Sequence, residues 1–344
     1  MTASTEAIER GPGGAKRFGS RLSEFAANNQ SAAVVPALVV LCIVATIIAP
    51  TFLTERNIEN LLQQASVLSV LSLAMLLVLL AGRFDLSIES TVGFAPMLAA
   101  MLVVPSPTGF GVDLPPALGL LSAFAVGALI GLFNGFLVVK LRLNAFITTL
   151  AMLILLRGAT LGISSGRTIS EPPAALTYLG GAVWFGIPAS IIISGLLFIA
   201  VGCFLNFHRI GRNVYAIGGN ARAARAAGIN VDRTIWGLYV VAGLMAALAG
   251  LLLSGRIDSM VASQGQNLVF DVFAALAIGA VSLNGGRGSV IGVLVGVLFL
   301  SVLANVLVLT GVPSFWVDMT RGGIIVIALV LARYTSGRAD EEDD

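Results

Sequence analysis

Residues 207–234 read FHRIGRNVYAIGGNARAARAAGINVDRT and form a polar, arginine-rich stretch between two long apolar runs. Asn220 is a favourable N-cap, residues 221–227 are strong helix formers, and Gly228 stands where a helix would end in a left-handed residue. The pattern predicts a helix of about two turns, which is too short to persist alone in water and therefore needs to be docked. Arg222 and Arg225 are spaced to share one face of it.

The rest of the chain has the composition of a membrane protein. Of its 344 residues, 57% are apolar and only 11% are charged, and the mean hydropathy is +0.96. Apolar runs of about 20 residues are long enough to cross a hydrocarbon core of about 30 Å. The sequence therefore predicts an all-α polytopic membrane protein. Cys42 and Cys203 both fall within apolar runs and are interpreted as small buried hydrophobic residues.

The apolar runs predict about ten transmembrane helices, at 31–53, 61–81, 87–104, 117–139, 145–163, 187–206, 235–254, 268–283, 289–310 and 315–334. An even number of spans places both termini on one side of the membrane. The runs at 87–104 and 268–283 are the shortest and are expected to be broken or tilted helices. Residues 31–334 are thus predicted to form a single transmembrane domain.

The distribution of positive charge orients these spans. With both termini in the cytoplasm, 15 of the 20 basic residues lie inside, namely Arg10, Lys16, Arg17, Arg21, Arg83, Lys140, Arg142, Arg209, Arg212, Arg222, Arg225, Arg233, Arg287, Arg333 and Arg338. This bias is what the positive-inside rule requires, and it places the loop 207–234 in the cytoplasm. Residues 1–30 are predicted to be a cytoplasmic, partly disordered lead, and 335–344 an acidic cytoplasmic tail. The basic part of the lead either forms an amphipathic helix on the inner leaflet or is irregular and only sets the topology through its charges.

Several classes of function are excluded by residues that the chain lacks. Neither of its two lysines, Lys16 and Lys140, follows a glycine-rich loop, so a P-loop ATP site is excluded. The single histidine, His208, argues against a metal centre or a histidine-based catalytic triad. Basic patches with interleaved aromatic residues are also missing, so nucleic-acid binding is not expected. The sequence therefore predicts no catalytic site, metal or cofactor, and if the protein uses ATP, a separate chain must bind and hydrolyse it.

A few polar residues at membrane depth are candidates for the pathway. Asp85 and Glu89 lie four residues apart at the entry to the third span, beside Ser87. An ionised carboxylate at the bilayer centre costs about 2.5–3.5 kcal/mol, so both are expected to face protein, water or a cation. Asn134 and Arg157 are the other members of this candidate set. Asp85 is open to a helix-capping role, and Glu89 to a pathway role or an ion pair. Arg157 either pairs with a carboxylate, lines an aqueous cavity or extends toward the outer surface.

Four stretches carry a resemblance to a known family. They are FDLSIEST (84–91), NGFLVVKLRLNAFITTLAMLILLRG (134–158), GRNVYAIGGNARAARAAGINVDR (211–233) and AIGAVSLNGGRGSVIGVLVGVL (277–298), together with PSFW at 313–316. The chain resembles the permease subunit of bacterial ABC importers for monosaccharides, the ribose-type group. It departs from that pattern at Glu89, where the family usually carries glycine.

The resemblance implies a type II ABC importer-like fold in which two permease copies, expected to be a homodimer, enclose a central pathway in the bacterial inner membrane. It also implies two partners, an ABC ATPase subunit and an extracytoplasmic sugar-binding protein. In that family the corresponding cytoplasmic loop supplies the helix that docks on the ATPase, which here is Gly218, Gly219, Asn220, Arg222, Arg225 and Gly228. The alternatives are a permease of the same superfamily for branched-chain amino acids or nucleosides, or an ion-coupled secondary carrier.

Overall fold

The computed structural model describes residues 30–320, 322–324 and 326. These described residues are mostly helical and include four two-residue strands. The helices are α1 Gln30–Ile48, α2 Glu55–Leu80, α3 Ile88–Val103, α4 Pro116–Gly135, α5 Ala145–Ser164, α6 Ala174–Gly181, α7 Ala189–Phe207, α8 Arg209–Gly219, α9 Ala221–Ala226, α10 Val231–Ile257, α11 Leu268–Ile278 and α12 Val290–Leu309. A π-helical turn, Phe136–Lys140, extends α4. Residues 314–320 are also helical.

The strands form two small antiparallel pairs. β1 (Ile169–Ser170) pairs with β4 (Ser259–Met260), and β2 (Val183–Trp184) pairs with β3 (Ile187–Pro188) in a hairpin. The β1–β4 pair ties the segment after α5 to the segment after α10.

Six of the described helices are long and apolar enough to cross a membrane: α2, α4 with its π-helical extension, α5, α7, α10 and α12. Three shorter apolar stretches, Val34–Ile48, Ile88–Val103 and Leu268–Ile278, coincide with the first, third and eighth predicted spans. The helices at the third and eighth predicted spans are short, since α3 has 16 residues and α11 has 11. The lead 1–29, the acidic tail and half of the tenth predicted span (321, 325 and 327–334) lie outside the described residues.

The centre of the bundle is formed by α2 and α10. In the most apolar 18-residue window of α2, 83% of the residues are buried, compared with 22% in α7. The main core cluster includes Leu73, Leu76 and Tyr239, all fully buried. From Ala65 onward every residue of α2 is buried. A helix segment buried on every side is stable only when other helices surround it, and α2 contacts α7, α10, α11 and α12. The flanking helices α4, α5 and α7 leave most of their surface uncovered by this chain.

Close helix contacts occur where the sequence places small residues four apart. A Cβ at Gly127 would lie 2.4 Å from the carbonyl oxygen of Gly243, and one at Gly131 would lie 2.1 Å from that of Tyr239. Glycine is therefore required where α4 crosses α10, and these small residues serve helix packing.

Candidate functional site

The loop 207–234 consists of two helices and the start of a third. α8 begins after His208, whose Nδ1 accepts a hydrogen bond from Ile210 N–H at 3.2 Å. α9 begins after Asn220, whose Oδ1 accepts from the N–H groups of Arg222 and Ala223, both at 3.0 Å. The prediction that Asn220 caps a short helix is confirmed.

Gly228 ends α9 in the way the sequence predicts. Its φ angle is +81°, a left-handed conformation that costs a residue with a Cβ about 1–2 kcal/mol. The N–H of Gly228 donates to the carbonyl of Arg225, and the N–H of Ile229 donates to that of Ala224, each at 3.0 Å. These two bonds are those of a Schellman motif, so α9 is closed at both ends by its own residues.

The two arginines of α9 are exposed, whereas Ala224 between them is only 4% exposed and packs against the main core. Arg225 also forms an ion pair with Asp232 at 2.5 Å, with both side chains more than half exposed. Such a surface pair contributes little to stability because water screens it. Arg222 and Arg225 therefore form a cationic surface on a helix that is anchored by its small buried side.

Gly218 and Gly219 do not belong to the short helix. They end α8, and Gly218 packs into the junction between two other loops. A Cβ at Gly218 would lie 1.8 Å from the carbonyl oxygen of Leu80 and 2.4 Å from the N–H nitrogen of Gly286, while one at Gly219 would meet nothing within 4 Å. Gly286 N–H in turn donates to Leu80 at 2.9 Å. α8 thus rests on the loops 81–87 and 283–289.

Tyr215 provides a second contact between α8 and the loop 283–289. Its phenol oxygen donates to the carbonyl of Gly288 at 3.0 Å, and burial raises the pKa of this phenol. The sequence did not single out Tyr215, because its partner lies 73 residues further along the chain. Its place between a glycine-rich loop and the arginine-rich stretch is visible only in the folded chain.

Asp85 lies in the connection between α2 and α3 and is 1% exposed. Its Oδ1 accepts from the hydroxyl of Ser87 at 2.6 Å and from the amide of Asn134 at 3.4 Å. Asn134 also donates to Ser87 Oγ at 2.7 Å. Burial raises the pKa of Asp85 to about 6, and these hydrogen bonds partly offset the rise. The structure brings these three candidate residues together in one cluster that joins the start of α3 to α4.

Glu89 and Arg157 form a second cluster. The carboxylate of Glu89, 3% exposed, pairs with the guanidinium of Arg157, whose side chain is 35% exposed. The other carboxylate oxygen accepts from the N–H of Val269 at 3.2 Å, in the first turn of α11, where a negative charge is favoured by the helix dipole. The ion pair is present, and together with the Val269 contact it joins α3, α5 and α11.

A cavity of about 190 Å³ adjoins Arg157. Six of its eight lining residues carry polar side chains, and the lining consists of Ser90, Arg157, Thr160, Leu161, Ala262, Ser263, Gln264 and Gln266. A second cavity, of about 240 Å³, lies among α2, α10, α11 and α12 and includes Gln64, Arg256, Asp271 and Ser301. The sequence singled out only Arg157 among these residues, since both cavities are assembled from distant parts of the chain.

Comparison with known proteins identifies the family to which this helical bundle belongs. Residues 57–329 match a family model described as the branched-chain amino acid transport system / permease component. The matched range covers far more than half of the chain and contains both polar clusters and the loop 207–234. The chain belongs to this permease family.

Individual relatives cover nearly the same length. The ribose import permease protein RbsC of Escherichia coli K12 is 36% identical over 301 residues, which cover 86% of this chain and 91% of that protein. The L-arabinose ABC transporter permease protein AraH of Azospirillum brasilense is 33% identical, with coverage of 88% and 87%. The xylose transport system permease protein XylH of E. coli K12 is 30% identical, with coverage of 84% and 87%. None of the solved structures matches this chain. The chain is thus a multi-pass membrane permease with a transport role.

Proposed function

We propose that this chain is the transmembrane subunit of an ATP-driven importer and forms the pathway for a monosaccharide delivered by an extracytoplasmic binding protein. The observation that carries the proposal is the similarity to ribose, arabinose and xylose permeases at 30–36% identity over 84–88% of the chain. Two copies of the chain enclose the pathway in the bacterial inner membrane.

The energy for transport comes from an ABC ATPase subunit that binds the cytoplasmic face. The segment from Asn220 to Gly228 is the element that contacts it, with Arg222 and Arg225 facing the partner. Support comes from the two closed ends of α9 and from its exposed cationic side. Gly218 and Gly219 act differently in this proposal, because they end α8 and pass the movement of α9 to the loops 81–87 and 283–289.

The proposed topology has ten spans with both termini in the cytoplasm. It adds α1, α3, α11 and a span at 315–334 to the six long apolar helices. In this topology 15 of the 20 basic residues of the chain lie on the cytoplasmic side. The positive-inside rule supports this arrangement.

The candidate polar residues divide into two roles. Glu89 and Arg157 lie beside the pathway, because their ion pair adjoins a polar cavity. Asp85, Ser87 and Asn134 hold the connection between α2 and α3 in place, because all three are at most 1% exposed and bond to one another.

The family description names branched-chain amino acids, but the relatives above carry sugar names, so an amino-acid or nucleoside cargo is not favoured. An ion-coupled carrier would need no ATPase. The discriminating experiment is uptake of labelled ribose, arabinose and xylose by cells that express this chain with its ATPase and binding protein. The proposal expects uptake to stop on ATP depletion and to survive collapse of the ion gradients, and the ATPase to co-purify with the permease. Uptake that follows the ion gradient instead would overturn it.

A further inference from the structure

The segment between α10 and α11 folds back into the bundle. Gln264 donates from its Nε2 to the carbonyls of Gly250 at 2.9 Å and Val92 at 3.2 Å. Gly250 precedes the end of α10 at Ile257 by seven residues, or about 10 Å along the helix axis. At Gln264 the chain has therefore turned back into the bundle by about 10 Å from the end of α10. The helix α11 begins at the same depth, beside Glu89.

This re-entrant segment (residues 261–267) is polar and partly uncovered. Ser263, Gln266 and Asn267 are exposed in the single chain. Irregular backbone and polar side chains at membrane depth are stable only where protein or water covers them, not where they face lipid. In membrane transporters, interrupted helices of this kind flank the binding site of the cargo. The exposed side of residues 261–267 is therefore suited to face an aqueous pathway rather than lipid.

The cavity beside this segment combines hydrogen-bond donors and acceptors in a way that suits hydroxyl groups. Arg157 is held by Glu89 and still has donors directed away from that carboxylate. Ser90 and Thr160 already donate to the carbonyls of Leu153 at 2.7 Å and Leu156 at 2.8 Å, so their oxygens remain available as acceptors. A sugar hydroxyl is both a donor and an acceptor, so it can accept from the free donors of Arg157 and donate to the oxygens of Ser90 and Thr160.

The charges of the cavity favour a neutral solute. The charge of Arg157 is compensated by Glu89, and the same carboxylate occupies the N–H of Val269 at the start of α11. A carboxylated cargo would have to compete with Glu89 for both of these groups. A neutral, polyhydroxylated molecule meets no such competition.

We propose that the cavity lined by Ser90, Arg157, Thr160, Ser263 and Gln266 is a transient binding site for a single monosaccharide within the permease. This proposal rests on the proposed function and adds the position and chemistry of the site. The site contributes to selectivity downstream of the binding protein, because it forms hydrogen bonds with the sugar hydroxyls after the sugar has been released into the pathway.

The test is transport by the complete importer in proteoliposomes, with the binding protein saturated by ribose, arabinose, xylose, glucose or galactose in turn. Thr160→Val keeps the shape of the side chain and removes the acceptor. Thr149→Val is the matched control, since Thr149 lies on the same helix, donates to the carbonyl of Ala145 at 2.8 Å in the same way, and lies outside the cavity. The quantities measured are sugar moved per ATP hydrolysed and the ratio of rates between sugars.

We expect Thr160→Val to lower sugar moved per ATP by about two- to tenfold, the effect of one hydrogen bond, and to change the ratio between sugars. Gln266→Leu, at an exposed residue, should do the same. Thr149→Val should behave as the parent. If both cavity variants match Thr149→Val for every sugar, the binding site is refuted while the proposed function stands. If the parent importer moves none of the sugars, the proposed function fails and the binding site with it.

Discussion

The α-carbon of Gly218, at the end of α8, packs directly against the carbonyl oxygen of Leu80, at the end of α2. The contact is so close that a Cβ at residue 218 would lie 1.8 Å from that oxygen. The same oxygen accepts the N–H of Gly286 at 2.9 Å. Three segments far apart in the sequence are thus joined through one peptide group, at the base of the arginine-bearing helix α9.

Gly218→Ala is expected to separate α8 from this junction, because backbone atoms cannot yield as a flexible side chain does. Overpacking of this kind costs about 1–3 kcal/mol. We expect a lower melting temperature of the purified permease and less ATP hydrolysis stimulated by the loaded binding protein. Gly219→Ala is the control, since a Cβ there meets nothing within 4 Å. Equal behaviour of the two variants would show that the junction does not hold α8.

The short helix was predictable because its signals are local. Asn220, the alanines after it and Gly228 lie within nine residues, so capping rules alone define where α9 begins and ends. The family resemblance also groups Gly218 and Gly219 with this helix, whereas in the structure they end α8. Of the two, only Gly218 is required as glycine, by its contact with Leu80 and Gly286, which no local rule reveals.

The polar clusters were predictable only in part. The cost of a charge at membrane depth indicates that Glu89 and Arg157 need partners, but the two are separated by 68 residues, and the pair follows from the packing of α3 against α5. The re-entrant segment was missed entirely, because its polar residues read as an ordinary loop between two spans. The number of spans likewise depends on the length of each helix, which the sequence does not define sharply. The helix α11 is too short to be recognised as a span by its length alone.

Glu89→Leu is expected to change transport because it removes two contacts at once. Arg157 loses its counter-charge, and the N–H of Val269 loses its acceptor. We expect uptake to fall while the protein is still inserted in the membrane, as measured by transport per amount of permease in isolated membranes. Unchanged uptake would reduce Glu89 to a packing residue.

A double-variant cycle separates the ion pair from the capping of α11. In Glu89→Leu/Arg157→Leu no charge is left without its partner, so the double variant should be more stable to heat than Glu89→Leu alone. Glu89→Gln keeps an acceptor for Val269 and should lie between the parent and Glu89→Leu. Additive effects of the two leucine changes would show that Glu89 and Arg157 do not stabilise each other.

The topology is tested by cysteine labelling in a background in which Cys42 and Cys203 are replaced by serine. Arg222→Cys should resist an impermeant thiol reagent in intact cells and react after permeabilisation, because the positive-inside distribution places this loop in the cytoplasm. Phe185→Cys is the outer control, at the 99% exposed tip of the β2–β3 hairpin. Efficient labelling of residue 222 from outside would invert the proposed orientation.

The assignment of α9 as the ATPase contact is tested first through its end. Gly228→Val forces a β-branched residue into a left-handed conformation at φ +81°, at a cost of about 1–2 kcal/mol. Gly228→Asn is the control, because asparagine tolerates this conformation best among residues with a Cβ. We expect Gly228→Val to remain inserted in the membrane and to retain less ATPase on co-purification, with Gly228→Asn close to the parent.

The cationic side of α9 is tested through its exposed ion pair. Arg225→Glu reverses the charge presented to the partner and also places two carboxylates together, since Asp232 lies 2.5 Å from Arg225. The exchanged pair Arg225→Asp/Asp232→Arg restores the internal attraction while moving the positive charge to α10. If Arg225 acts by contacting the ATPase, both variants should lose ATPase association and transport-coupled hydrolysis. If its role is only to pair with Asp232, the exchanged pair should recover both, although a surface pair of this kind contributes only about 0–1 kcal/mol. If Arg225→Glu and Gly228→Val both assemble and transport like the parent, the assignment is wrong. The loop is then only a solvated connector.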